Sequence, residues 1–347
     1  MIARSLLLFS LLVAFTGCSD DVVTNPPPGV PAQQRGLYIV NEGNFHRSNA
    51  SLSYFVPDSA AMYNDIFQSV NGRSLGDVGN SITMHNGLAY IVVNNSNRIE
   101  VIDPATHKVV RSITCPPGSS PRNIMFDAKG TGYITNLYGN SVSVYDAASN
   151  SITKNILVGP NPEGLAISGT MVFVANSGLG QNNTVSVIST STLDVVAILK
   201  VGDYPTAVMN MPGGTIGVLC SGSYNDFNDP NDDTPASLLL IDPASKSIVD
   251  SLPLPGHPMR FIQDDQGYAY ILENGVTRIH LATRTFTPNF ISGWFYSAIA
   301  DTVRNRLYFT NAADYVQSGT LEVFDYNGSK ISSHPAGIIP GAMAFTK

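Results

Sequence analysis

One strand pattern recurs seven times along this chain, and that repetition constrains the fold more than any other feature. The copies are Leu37-Tyr38-Ile39-Val40-Asn41, Ala89-Tyr90-Ile91-Val92-Val93-Asn94, Gly132-Tyr133-Ile134-Thr135-Asn136, Val172-Phe173-Val174-Ala175-Asn176, Ile216-Gly217-Val218-Leu219-Cys220, Ala269-Tyr270-Ile271-Leu272-Glu273 and Leu307-Tyr308-Phe309-Thr310-Asn311. Aromatic and β-branched residues at period 2 are what a half-buried strand requires. The anchor positions 38, 90, 133, 173, 217, 270 and 308 are spaced by 52, 43, 40, 44, 53 and 38 residues. That is close to the roughly 40 to 45 residues of a four-stranded propeller blade.

A second strand ending in Asp follows most copies, as in Arg98 to Asp103, Ser141 to Asp146, Ser237 to Asp242 and Leu321 to Asp325. A short strand precedes them, often opened by proline: Pro121 to Phe126, Pro162 to Ile167, Pro205 to Met209 and Pro258 to Ile262. Proline is tolerated at the first residue of a strand because no ladder donor is needed there. Val78 to Thr83 and Tyr296 to Ala300 are less regular versions. The copy at Leu37 lacks a preceding strand, and Pro340 to Phe345 is such a strand with no copy after it. The expectation is an all-β fold, a seven-bladed β-propeller closed by the C-terminal strand completing the first blade. Closure of this kind removes exposed sheet edges. An open sandwich is the competing all-β fold, but sandwiches do not repeat at blade length. The 30 Gly and 22 Pro among 347 residues argue against long helices. A net charge of −7 with no Lys/Arg-rich run argues against a nucleic-acid surface.

The chain begins with Arg4, an apolar run from Leu6 to Phe15, and Thr16-Gly17-Cys18. Residues 1–17 read as a secretory signal, too short to span as a mature transmembrane helix. Residues 18–35 are polar and proline-rich, the composition of a semi-rigid tether, and residues 36–347 form the expected propeller domain. Cys115 and Cys220 in the body are too few for a disulfide scaffold and read as free thiols.

Four resemblances add to this. Gly17-Cys18 resembles the end of a bacterial lipoprotein signal, which implies lipidation at Cys18. An ordinary signal peptide cleaved elsewhere is the alternative, although Ala-x-Ala-like cleavage chemistry is missing. Ser19-Asp20-Asp21 resembles the surface-export signal of Bacteroidetes lipoproteins, which implies an outer-membrane lipoprotein on the cell surface. The Tyr-Ile-x-Asn strands, with Ile102-Asp103-Pro104-Ala105-Thr106, resemble the YVTN family of β-propellers over residues 37–346. More narrowly, Leu37 to Asn44, Ser51-Leu52-Ser53-Tyr54 and Leu75-Gly76-Asp77-Val78-Gly79-Asn80 resemble Bacteroidetes propeller lipoproteins that capture cobalamin and cap a TonB-dependent transporter. That resemblance implies a non-enzymatic protein that binds cobalamin or a related corrinoid as cargo. It implies no cofactor, a transporter as partner, and membrane contact through the lipid anchor alone.

In a propeller the loops between blades share a face with the loops between second and third strands, and that face is the usual ligand mouth. Between-blade loops supply Asp77 and Asn80, Arg122 and Asn123, Asn161 and Glu163, Tyr204, His257 and Arg260, and Trp294, Phe295 and Tyr296. Second-to-third loops supply Asn44, Phe45 and His46, Asn95, Tyr138, Tyr224 and Phe227, and Tyr315. Aromatics give contact area and amides give directed hydrogen bonds, a mixture suited to a large polar ligand with flat surfaces. Several have a purely structural reading as well. Asp77 and Asn80 cap a Gly-flanked turn or reach a ligand, and Trp294 packs between blades or faces outward. Arg122 and Arg260 reach a ligand or pair with Glu163. The Asn residues that end the repeated strands read as turn formers, because Asn tolerates left-handed backbone.

Catalytic and metal patterns are weak. The six His residues show no His-x-x-x-His spacing, and no Gly-x-Ser-x-Gly elbow is present. Asp229-x-Asn231-x-Asp233 opens like a calcium loop, but no Gly follows and Leu240 stands where such a loop needs Glu. Two other classes compete with ligand capture: a lactonase- or lyase-type propeller enzyme using His257 with Glu163, and an envelope adhesion or protein-interaction module.

Overall fold

The computed structural model describes residues 35–223 and 232–346. The expected signal, the Cys18 anchor, Tyr224, Phe227 and residues 229–231 of the calcium-like spacing lie outside the described residues. The chain forms seven four-stranded antiparallel sheets, and consecutive strands pair within each sheet except at the closure. Blade 1 is built from Pro340–Phe345, Leu37–Asn41, Ser51–Val56 and Ala61–Tyr63. The expected closing strand is therefore present, with Leu37 opposite Phe345 and Tyr38 opposite Ala344. Arg35 locks the seam: its guanidinium donates to both oxygens of Asp301 in blade 7 at 2.9 Å and lies over the Phe345 ring of blade 1.

The reason the repeat is apolar lies between the blades. The described residues form seven hydrophobic clusters, one at each junction of adjacent blades. The last of them joins Leu37, Ile39 and Phe55 of blade 1 to Tyr308, Leu321 and Val323 of blade 7. The repeated aromatics Tyr38, Tyr90, Tyr133, Phe173, Tyr270 and Tyr308 are among the largest fully buried side chains. Buried phenols need partners. Tyr133 donates to Asp127 at 3.3 Å, Tyr270 donates to Asp264 at 2.8 Å, and Tyr38 bonds His107 at 2.6 Å. Cys115 and Cys220 are free and buried, and burial pushes both thiols up to about 12.

The long interval between the first two copies holds an insertion with the short helix Ile66–Asn71, whose Asn71 side chain donates to the His107 carbonyl at 3.1 Å and accepts the Val109 N–H at 2.8 Å at the third-to-fourth-strand turn of blade 2. It is tied to blade 2 by the fully buried Glu100, which accepts from Arg73 at 2.9 and 2.8 Å, from Arg98 at 2.6 Å and from Ser112 at 2.6 Å. Among the described residues no helix is long and apolar enough to cross a membrane.

Of the five Asn residues that end the repeated strands, Asn311 does form a turn, its side-chain oxygen accepting the Ala313 N–H at 2.8 Å, but three others do not. Asn41, Asn136 and Asn176 are fully buried, and none has positive φ. Each amide donates to two hydroxyls on the facing strand: Asn41 to Ser51 and Ser53, Asn136 to Ser141 and Ser143, Asn176 to Thr184 and Ser186, at 2.7 to 3.1 Å. A buried amide forces such pairing because an unsatisfied polar group costs more than the bond returns. The alternating hydroxyls at 51 and 53, 141 and 143, and 184 and 186 were the sequence signal for this clamp.

Candidate ligand-binding mouth

Among the described residues the between-blade and second-to-third-strand loops open on one face, which also carries exposed large hydrophobic residues. These are Phe45, Tyr138, Leu179, Met259, Trp294, Tyr315 and Val316. Among the described residues the opposite face exposes one, Val303, and the others lie on outermost strands. On soluble surfaces such segregation marks an interaction face.

Within this face a cavity of about 490 Å³ opens off-centre, toward blades 5, 6 and 7. It gathers seven of the expected site residues: Arg122, Glu163, Tyr204, Arg260, Trp294, Tyr296 and Tyr315. Trp294-Phe295-Tyr296 is divided by strand-like alternation. Trp294 is 48% exposed, Phe295 is buried in the junction of blades 6 and 7, and Tyr296 turns to the cavity.

Arg122 and Glu163 form the polar floor. The guanidinium donates to both Glu163 oxygens, at 2.8 and 3.3 Å, and to the Asn80 side-chain oxygen. Burial works against the Arg122 charge, but Glu163 and, further off, Glu42 and Tyr296 outweigh it and hold the pKa above the usual value. Asn80 also donates to the Arg122 carbonyl at 2.9 Å, and Asn123 donates to the Glu163 carbonyl at 3.2 Å. Asn80 and Asn123 thus brace the floor from behind. Asn44 braces the wall, its amide donating to the Tyr315 carbonyl at 2.8 Å.

The remaining expected residues are elsewhere. Asp77 is 8% exposed and accepts the His46 N–H at 3.1 Å and the Asn95 amide at 2.6 Å. It clasps the loops of blades 1 and 2 together. Phe45, its ring tilted against that of His46, and Tyr138 project from the rim. His257 and Glu163 line the same cavity, but Glu163 is engaged by Arg122 and the His257 Nδ1 lies 2.9 Å from the Ser221 carbonyl.

Two carboxylates escaped the sequence reading. Glu42 accepts from the Tyr296 hydroxyl at 2.8 Å, and burial raises its pKa against the pull of Tyr296, Arg260 and Arg122. Glu273 accepts the His257 N–H at 3.1 Å. It fits because residue 256 is glycine at φ +60°, where a Cβ would lie 1.8 Å from a Glu273 oxygen. The signal for Glu273 was its departure from the repeat, since it stands where most copies have Asn. Among the described residues no three His, Cys, Asp or Glu side chains cluster to hold a metal. What the cavity offers is aromatic area beside hydrogen-bonding and charged groups.

Residues 35–229, more than half of the chain, match the profile described as "Domain of unknown function (DUF5074)". The chain belongs to that family. No curated protein sequence matches it significantly. Among solved structures it is similar to a quinoprotein alcohol dehydrogenase-like protein from Bacteroides thetaiotaomicron, with 14% identity over 91% of this chain and 79% of that one and a TM-score of 0.69. Hydrazine synthase from Kuenenia stuttgartiensis shares 20% identity over 76% and 88% at a TM-score of 0.62. A streptogramin B lyase shares 13% over 77% and 90% at 0.56. At these identities the likeness is one of fold alone.

Proposed function

We propose that this chain is a non-catalytic surface lipoprotein that captures cobalamin or a related corrinoid at the mouth and passes it to a TonB-dependent transporter. The observation that carries the reading is the composition of the cavity. Tyr204, Trp294, Tyr296 and Tyr315 supply flat contact area, while the floor ionisable groups are paired with one another, Arg122 with Glu163 and Tyr296 with Glu42. Groups so paired hold a shape, whereas a general base is kept poised near the operating pH. A corrinoid is larger than this cavity, so part of it would rest on the rim, where Phe45 and Tyr138 are exposed. The N-terminal segments beginning Asn41-Glu42-Gly43-Asn44 and Leu75-Gly76 support the same ligand by their resemblance to cobalamin-capturing propellers.

Calorimetric titration of the purified protein with cyanocobalamin tests this. Saturable heat and a raised melting temperature are expected. Absence of both overturns it, and turnover in a lactone or lyase screen that is lost in His257→Ala would replace it with the enzymatic reading.

A further inference from the structure

The two arginines in the cavity differ in their commitments. Arg122 is bound on three sides by Glu163 and Asn80. Arg260 opens blade 6 exposed, and among the described residues its side chain makes no hydrogen bond and no ion pair. Its guanidinium carbon lies 5.9 Å from the Tyr296 ring centre, and its charge favours the Glu42 carboxylate. The nearby carboxylates each already have a donor: Glu42 has Tyr296, Glu163 has Arg122, and Glu273 has the His257 N–H. A guanidinium carries five donors in a planar fork suited to carboxylate or phosphate. A cation–π approach to a ring leaves all of the guanidinium N–H groups available.

We propose that Arg260 is the anion-reading residue of the mouth, taking a phosphate or carboxylate carried by a ligand whose flat portion lies against Trp294, Tyr296 and Tyr315. The assignment deepens the capture reading and rests on it for the ligand's size, but the anion site itself is tested independently.

Trp294 is the only tryptophan of the chain and lines this cavity, so its fluorescence reports occupancy. Phenyl phosphate is titrated against the parent protein, with phenol and phenyl acetate as neutral probes and benzoate as the carboxylate probe. The expected result is quenching by phenyl phosphate or benzoate at concentrations where neutral probes have no effect. Added salt weakens it. In Arg260→Gln the affinity falls at least about tenfold, and Arg260→Lys, which keeps the charge but loses the fork, recovers part of it. The Arg260 side chain makes no hydrogen bond or ion pair and its charge acts on Glu42 without a direct bond, so both variants keep the fold, read as a circular dichroism spectrum like the parent's. Equal binding of charged and neutral probes, or unchanged binding in Arg260→Gln, overturns the assignment.

A second arm separates the anion site from the corrinoid reading. Cyanocobalamin carries a phosphodiester and dicyanocobinamide lacks it. Arg260→Gln is expected to weaken the first and leave the second unchanged. If neither corrinoid binds while phenyl phosphate behaves as expected, the corrinoid reading fails and the anion site stands. If both corrinoids bind and Arg260→Gln weakens neither, the anion site fails and capture stands.

Discussion

Replacing Glu163 with Gln tests whether the cavity floor is held by charge. The substitution keeps the shape of the side chain and removes the partner of Arg122, whose side chain is 25% exposed against 15% for Glu163. Removing one member of a fully buried pair costs about 3 to 5 kcal/mol, because the other charge is left without compensation. Here Asn80 still accepts from Arg122, and partial exposure lets water approach, which reduces the expected loss to about 2 kcal/mol. For a domain of this size that corresponds to a drop of about 4 °C in melting temperature. Equilibrium urea unfolding of the parent, Glu163→Gln, Arg122→Met and the double variant closes a thermodynamic cycle. The double variant should lose less than the two single losses together, with a coupling of at least about 1 kcal/mol. Strict additivity, or a Glu163→Gln variant as stable as the parent, would refute the argument that these groups are committed to each other.

Three further outcomes follow from other parts of the ring. His107 is 4% exposed, bonded through Nδ1 to Tyr38, and burial lowers its pKa from 6.5 to about 4. The unfolded chain therefore takes up a proton below about pH 6.5 that the folded chain refuses, and stability should fall between pH 6.5 and 4 by up to about 3 kcal/mol. His107→Gln should flatten that slope in urea unfolding measured across the range; an unchanged slope contradicts the assignment. Asn176→Ala leaves Thr184 and Ser186 without their shared donor and should cost about 2 kcal/mol, whereas a loss under about 0.5 kcal/mol would return Asn176 to an ordinary strand residue. Arg35→Ala leaves the fully buried Asp301 with Arg304 as its remaining ion-pair partner. Hydrogen exchange in Pro340–Phe345 should then accelerate more than in the other inner strands, since opening of the closure is local; uniform acceleration would argue against a latch.

The sequence by itself determined the number of blades, the order of strands within each and the closure by Pro340–Phe345, because those depend on period-2 alternation and on a repeat spacing that any stretch of chain reveals locally. It also named most of the side chains that meet at the mouth, since propeller connectivity assigns loops to faces. Only the tertiary structure decided which of them share a cavity and what state each is in. Arg122 and Arg260 both follow a proline near the start of an inner strand, yet one is bound by Glu163 and the other is not. Asp77 and Asn80 lie three residues apart, yet one clasps a loop of blade 1 and the other supports Arg122 in blade 3. The Tyr296–Glu42 bond joins residues 254 positions apart in the chain. Hydrogen-bond partners at such separations are set by how twisted sheets pack around the ring, and periodicity carries no record of which neighbour a long polar side chain will reach.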